Sequence, residues 1–116
     1  MPKTATVFAP APAKDVRLFL CPYGRYANKE VQTCETGGIL TFQDTWRKTQ
    51  FRLVRRTKVA VNSSVFSFLL RAVYGETMTY GRWMERWRAV AASEGWGKDA
   101  FDTDSVLLLE LEKTER

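Results

Sequence analysis

Regular alternation of apolar and polar residues over 50–61 gives the chain its longest strand signal. The residues at odd positions, most of them apolar, are Phe51, Leu53, Arg55, Thr57, Val59 and Val61. Successive side chains of a strand point to opposite faces, so we expect the odd positions to face the core. Arg52, Arg56 and Lys58 should then share the outer face. Arg55 interrupts the apolar set and predicts a bulge, a bend or a sheet edge at that point.

Shorter apolar runs predict the remaining strands. Residues 16–20 and 39–42 are mostly apolar and lie next to turns that contain proline or glycine. The run over 105–113 is apolar at consecutive positions, which is typical of a central strand with both faces covered. Residues 25–37 are ambiguous, and they leave room for an additional short strand over 30–33.

Two segments have the period of an amphipathic helix. Ser63 is a good N-cap, and the apolar residues that follow share one helix face: Phe66, Leu69, Leu70 and Val73. Gly75 ends this helix, which we place over 64–74. A second helix over 79–94 ends before Gly95. Its buried stripe contains Tyr80, Trp83, Trp87, Val90 and Ala91.

The order of these elements, strands first and then two helices and a final strand, predicts an α+β fold. We expect a mainly antiparallel sheet of four or five strands, with the two helices packed on one face. Residues 1–14 are rich in proline and alanine and are predicted to form a flexible leader. Residues 15–116 are predicted to form a single α+β domain, which is large enough for one hydrophobic core.

Composition argues against several classes of protein. No run approaches the ~20 apolar residues of a membrane span, and residues 1–14 lack the apolar core of a secretory signal. We therefore expect no membrane association and a cytoplasmic location. There, Cys21 and Cys34 should be free thiols. The chain has no histidine, so no metal site is predicted, and no motif indicates a cofactor.

Charge is distributed unevenly along the chain. Residues 45–75 contain seven basic residues and no acid, whereas residues 99–116 contain six acids and two bases. A row of cations on one strand can follow a phosphate backbone. The favoured hypothesis is a non-catalytic protein that binds RNA or DNA through Arg47, Lys48, Arg52, Arg56 and Lys58. The aromatic residues that could stack on bases, beside Arg25 and Lys29, are Tyr23, Tyr26 and Trp46.

Other interpretations stay open. Glu110 and Glu112 could lie beside the basic strand and neutralise it through cross-strand pairs. The basic residues could instead bind an acidic protein. A protein interface, with a second copy or an acidic partner, could also use Trp96 or the helical Arg82 and Arg86, because tryptophan and arginine are enriched at such interfaces. Trp96, between two glycines, could equally cover a small core.

Catalysis is the least favoured hypothesis. Asp99, Asp102 and Asp104 lack the spacing of a calcium-binding loop, and we expect them to shape a turn. Ser63 and Ser64 lack the glycine-flanked turn and the histidine base of a serine nucleophile. Paired carboxylates could still act as acid and base, but no pair stands out, so we assign no catalytic residue.

Overall fold

The computed structural model describes residues 4–9, 17–43, 48–97 and 99–114. In chain order the elements are β1 (Thr4–Val7), β2 (Leu18–Pro22), α1 (Lys29–Thr33), β3 (Ile39–Gln43), β4 (Lys48–Ala60), α2 (Ser64–Tyr74), α3 (Tyr80–Glu94) and β5 (Ser105–Lys113). The five strands form one sheet in the order β1-β3-β4-β5-β2. The predicted α+β class is confirmed. The sheet is mixed rather than purely antiparallel, because β1 runs parallel to β3.

The two long helices lie within one residue of their predicted bounds, because local sequence determines their ends. The Ser63 hydroxyl accepts a hydrogen bond from Phe66 N at 3.1 Å, and the Thr79 hydroxyl caps α3 in the same way. Gly75 and Gly95 follow the helices with positive φ angles. Within the ranges described, no helix is both long enough and apolar enough to cross a bilayer.

Aromatic side chains from the sheet and the helices form the centre of the core. Trp83 and Trp87 are 1% and 4% exposed, which confirms the predicted buried stripe of α3. Phe19 of β2 packs edge to face on Trp87, with ring centroids 6.3 Å apart. Its ring also lies 4.9 Å from that of Phe42 on β3. In a flat sheet β2 and β3 would be about 14 Å apart, so this contact means that the sheet curls around the core.

β5 lies inside the sheet, between β4 and β2. Val106 and Leu109, which point to opposite faces, are both buried, and this confirms the prediction of a strand covered on both sides. The antiparallel pairing of β4 with β5 is irregular between Leu53 and Arg55, where Val54 is an extra residue without a partner on β5. Of the bulge, bend or sheet edge predicted at Arg55, the structure has the bulge.

Part of the predicted leader belongs to the sheet. Thr4–Val7 pairs with β3 from Thr4 opposite Ile39 to Val7 opposite Phe42, and Val7 is fully buried. A strand of four residues gains its stability from a partner about 35 positions away, which a local pattern does not reveal. Residues 1–3 and 10–16 lie outside the described ranges.

The additional strand that the sequence allowed over 30–33 does not form, because these residues belong to α1. Asn28 adopts a left-handed conformation with φ 51° immediately before the helix, as asparagine tolerates. The Gln32 side chain donates hydrogen bonds to the carbonyl oxygens of Gly24 and Ala27 at 2.9 and 3.0 Å. Val31 is buried. A single helical turn held by these local hydrogen bonds and by the burial of Val31 replaces the strand.

Candidate functional site

The bulge in β4 separates the basic residues that were predicted to share a face. Arg52 lies opposite Glu112 on β5, whereas Arg56 lies opposite Leu109. Positions 112 and 109 differ by an odd number, so their side chains point to opposite faces of the sheet. The prediction that Arg52, Arg56 and Lys58 form one outer row is therefore wrong. Because the bulge inserts one extra residue, each side chain from Arg55 onward points to the face opposite to the one that unbroken alternation predicts.

The two arginines that do share the outer face are paired with carboxylates. Arg52 Nη1 lies 2.6 Å from Glu112 Oε1, and Arg55 Nε lies 3.3 Å from Glu110 Oε2. All four side chains are at least one third exposed, so each pair adds little stability. The pairs nevertheless place a negative charge beside each of these two arginines. This agrees with the alternative interpretation in which Glu110 and Glu112 neutralise basic residues of the neighbouring strand.

Arg56 binds the backbone of α1. Its Nη1 donates to the carbonyl oxygen of Val31 at 3.0 Å and to that of Cys34 at 2.7 Å, in a half-buried position. The last carbonyls of a helix have no partner within the helix and carry partial negative charge. A guanidinium at this point stabilises α1 against the sheet, so Arg56 is positioned for a structural role.

Lys58 is exposed and lies beside an aromatic ring. Its ammonium is 5.6 Å from the centroid of the Tyr23 ring. The interaction with Tyr23 raises the pKa of Lys58, and the carboxylates of Asp102 and Asp104 act in the same direction. Lys48, at the start of β4, is exposed. Arg47 and Trp46 fall outside the described residues.

The predicted protein-interface residues do not converge on one surface. Arg82 and Arg86 are exposed on α3. Trp96 follows the end of that helix, about 20 Å from Arg82 along the axis. The Trp96 ring is half-buried and packs edge to face on Phe8 at 6.3 Å and on Phe101 at 6.2 Å. It therefore covers a small aromatic cluster.

A different basic and aromatic group lies between β2 and α1. The Tyr26 side chain is 58% exposed, and the Arg25 guanidinium is 5.7 Å from its ring centroid. Lys29 is exposed three residues further on. We call Arg25, Tyr26 and Lys29 the Tyr26 surface. The sequence indicated these residues as additional contacts beside the basic residues of β4. Among the described residues, no carboxylate lies within 4 Å of the Arg25 guanidinium or the Lys29 ammonium.

A cavity of about 130 Å³, the Tyr26 cavity, adjoins this surface. The residues that line it come from β1 and the residue after it, from the turn that precedes α1, and from the loop after α3. They include Thr6, Phe8, Tyr26, Asn28, Lys29 and Trp96. Phe8 was assigned to the leader and Asn28 was not singled out. No pattern in the sequence relates either residue to Trp96, which is separated from them by at least 68 positions.

Asn28 contributes an unsatisfied acceptor. The residue is 4% exposed, and its Nδ2 donates to the carbonyl oxygen of Pro22. No donor among the described residues lies within hydrogen-bonding distance of its Oδ1. A buried acceptor without a partner costs about 1–3 kcal/mol in stability.

The exposed side of α2 is apolar. Val65 and Phe68 are 57% and 70% exposed, and Ala72 is exposed on the same stripe, at the helical spacing i, i+3, i+7. Phe66 and Leu70 lie on the opposite side of the helix and are buried in the core. A helix that is apolar on both sides commonly has a second partner.

The acidic loop before β5 has the predicted turn function. Asp102 Oδ1 accepts a hydrogen bond from Asp104 N at 2.7 Å, and the Asp104 carbonyl oxygen accepts one from Val61 N at 2.9 Å. Across the described ranges, no cluster of three or more cysteine or carboxylate groups has the geometry to hold a metal ion.

Comparison with known proteins does not identify a relative. No protein-family model, no curated protein and no solved structure matches the chain. A functional hypothesis therefore depends on the residues described above.

Proposed function

We propose that the protein is a non-catalytic nucleic-acid-binding domain that contacts single-stranded RNA or DNA through the Tyr26 surface. The observation that carries the proposal is the exposed Tyr26 ring with the Arg25 guanidinium 5.7 Å from its centroid and Lys29 nearby. Proteins that bind single strands combine cations for the phosphates with exposed aromatic rings for the bases.

The charge of the whole chain supports this choice of ligand. The formal net charge is +5. Of the basic residues on β4, Arg52 and Arg55 already face carboxylates and Arg56 binds carbonyl oxygens. Arg25 and Lys29 have no such partner among the described residues, so a phosphate can approach them without displacing a protein group.

The direct test is fluorescence anisotropy with a labelled single strand of about 12 nucleotides, near the site sizes of single-strand binders. For real phosphate contacts, log K falls linearly with log salt, with a slope of about −0.7 per contacted phosphate. Tyr26→Ala should weaken binding about 5- to 150-fold, the equivalent of one lost base stack of about 1–3 kcal/mol. The double variant R25A/K29A should also make the slope shallower.

The matched control removes two cations from another surface. R82A/R86A lowers the net charge by the same amount but changes α3, on which both side chains are exposed. Binding should then weaken much less than in R25A/K29A. Equal losses in the two double variants, or no binding even at low salt, would refute the proposal.

A second candidate function is self-association through α2, which the exposed Val65 and Phe68 favour. The stripe suits a second copy, because Arg71 is the only basic residue of α2 and the helix contains no acidic one. An antiparallel pairing of two helices centred on Phe68 would place Arg71 beside Val65 of the other copy, away from the second Arg71. Light scattering after size exclusion should then give a dimer that Phe68→Ser converts to a monomer. A monomer at high concentration would eliminate this candidate.

A further inference from the structure

We infer that the bound strand continues from the Tyr26 surface past Trp96 into a second cavity at the end of α3, where Arg88 contacts a phosphate and Phe101 stacks on a base. The inference rests on the proposed function and deepens it, because it assigns a second subsite to the same ligand. We call this cavity the α3 groove. The described residues that line it are Arg88, Ala91, Ala92, Gly95, Gly97 and Phe101.

The α3 groove is large enough for a nucleotide. Its volume is about 610 Å³, whereas the Tyr26 cavity measures about 130 Å³. Pockets that hold small organic ligands usually measure roughly 300–1,000 Å³. The space is open beside the loop after α3, since a Cβ added to Gly95 or Gly97 would meet no atom within 4 Å beyond its chain neighbours. The groove therefore has room for a base together with its sugar and phosphate.

The α3 groove and the Tyr26 cavity adjoin each other. Gly95 and Gly97 line the groove, and Trp96 between them lines the cavity. Bonded neighbours have Cα atoms about 3.8 Å apart, so one residue of the loop separates the two spaces. The Trp96 ring also packs on the ring of Phe101, with centroids 6.2 Å apart, and Phe101 lines the groove. A strand held at the Tyr26 surface can therefore pass into the groove along this loop.

Arg88 supplies the positive charge of the groove. It precedes Ala92 by four positions and Gly95 by seven, so the three residues lie on one face of α3. Arg88 is exposed, and among the described residues no carboxylate lies within 4 Å of its guanidinium. It is also the only charged residue among the described ones that line the groove. A phosphate can therefore approach Arg88 without displacing a carboxylate.

Phe101 supplies the aromatic part of the lining and is half-buried. Single strands bind to aromatic side chains because every base has a flat face that stacks on a ring. The remaining described residues of the lining are alanine and glycine, which have no polar side chain. One unpaired cation beside one aromatic ring matches a nucleotide, which joins an anionic phosphate to a base. The Tyr26 surface has the same combination.

Arg88→Ala tests the phosphate contact. With the labelled strand of about 12 nucleotides, this variant should bind about fivefold more weakly at about 0.1 M salt, and the slope of log K against log salt should become shallower by about 0.7. Arg86→Ala is the matched control, because Arg86 is exposed on α3 at about 160° around the helix axis from Arg88. It removes the same charge and should change both values much less. Equal effects of the two variants would overturn the inference.

A carboxylate placed in the groove tests the path of the strand. Ala92→Glu should weaken binding about fivefold or more, because the new side chain can pair with Arg88 and repel a phosphate. Ser93→Glu adds the same charge at the next position, which is exposed but does not line the groove, and should have a much smaller effect. Phe101→Leu, which keeps an apolar side chain but removes the ring, should weaken binding about fivefold.

Together with Tyr26→Ala, these variants separate the inference from the proposed function. Losses in Arg88→Ala, Phe101→Leu and Tyr26→Ala would support a single strand that contacts both places. Full binding by Arg88→Ala and Ala92→Glu, with weak binding by Tyr26→Ala, would overturn the groove and leave the proposed function standing. Losses confined to the groove variants would refute the role of the Tyr26 surface and with it a strand that joins the two. A native chain that binds no strand even at low salt would eliminate both.

Discussion

Replacement of Arg56 by methionine tests the structural role that its position indicates. Methionine retains much of the apolar stem but removes both hydrogen bonds to the carbonyl oxygens of Val31 and Cys34. A hydrogen bond that involves a charged group contributes about 1.5–3 kcal/mol, and two would contribute about 3–6 kcal/mol. Arg56 is half-buried, so water can replace part of this interaction. We expect a loss of about 2–3 kcal/mol in the free energy of unfolding.

Arg52→Ala, four positions earlier on the same strand, is the matched control. Its guanidinium also makes a short contact, at 2.6 Å from Glu112, but both side chains are about half exposed. Exposed ion pairs contribute about 0.2–1 kcal/mol, so this variant should lose at most about 1 kcal/mol. The two variants remove the same charge from the same strand. They differ in what the guanidinium contacts and in the apolar stem, which only the methionine variant retains.

Urea unfolding followed by tryptophan fluorescence measures both losses. Trp83 and Trp87 lie in the core, so their emission should report global unfolding. The midpoint should fall much further for Arg56→Met than for Arg52→Ala, with an unchanged dependence on urea. Equal midpoints for the two variants would refute the assignment of Arg56 to α1. Loss of oligonucleotide binding in Arg56→Met without loss of stability would instead restore a ligand-binding role for this residue.

Two further predictions concern glycine and cysteine. A Cβ on Gly24 would lie 1.9 Å from the Ala100 carbonyl oxygen, whereas one on Gly81 in α3 would meet nothing within 4 Å. Gly24→Ala should therefore destabilise the fold by about 1–3 kcal/mol, and Gly81→Ala should stabilise it by about 0.5–1 kcal/mol. Thermal unfolding measures both changes, and a Gly24→Ala variant more stable than the Gly81→Ala variant would contradict the packing. Cys21 and Cys34 are fully buried, and burial raises the pKa of both thiols. Neither should react with a thiol reagent in the native protein at pH 8, and both should react in denaturant; rapid labelling of the native protein would show that the core opens.

The elements that could be predicted are those whose ends or patterns are local. Ser63 and Gly75 mark the ends of α2 within the sequence itself, and the uninterrupted apolar run gives β5. β1 and α1 could not be predicted in the same way. β1 has four residues and depends on β3, while α1 is held by the side chain of Gln32 and by Arg56 from a distant strand.

The candidate site was predicted only in part. Arg25, Tyr26 and Lys29 are close in sequence, so their proximity could be foreseen. The cavity beside them needs Phe8 and Trp96, which the fold brings together across most of the chain. A bulge was one of the three irregularities predicted at Arg55, but its effect on the later residues of β4 was not predicted. One inserted residue changes which face every later side chain occupies, and the basic row depended on an unbroken alternation.

The order of the strands has a consequence for the nascent chain on the ribosome. β2 is made early, but its one neighbour in the described sheet is β5, the last strand in the sequence. Until residues 105–113 emerge, β2 cannot enter the sheet, and the apolar side chains of Phe19 and Leu20 lack their native strand partner. Folding should therefore finish only after synthesis of β5, and a chain that stalls before residue 105 should depend on chaperones to stay in solution.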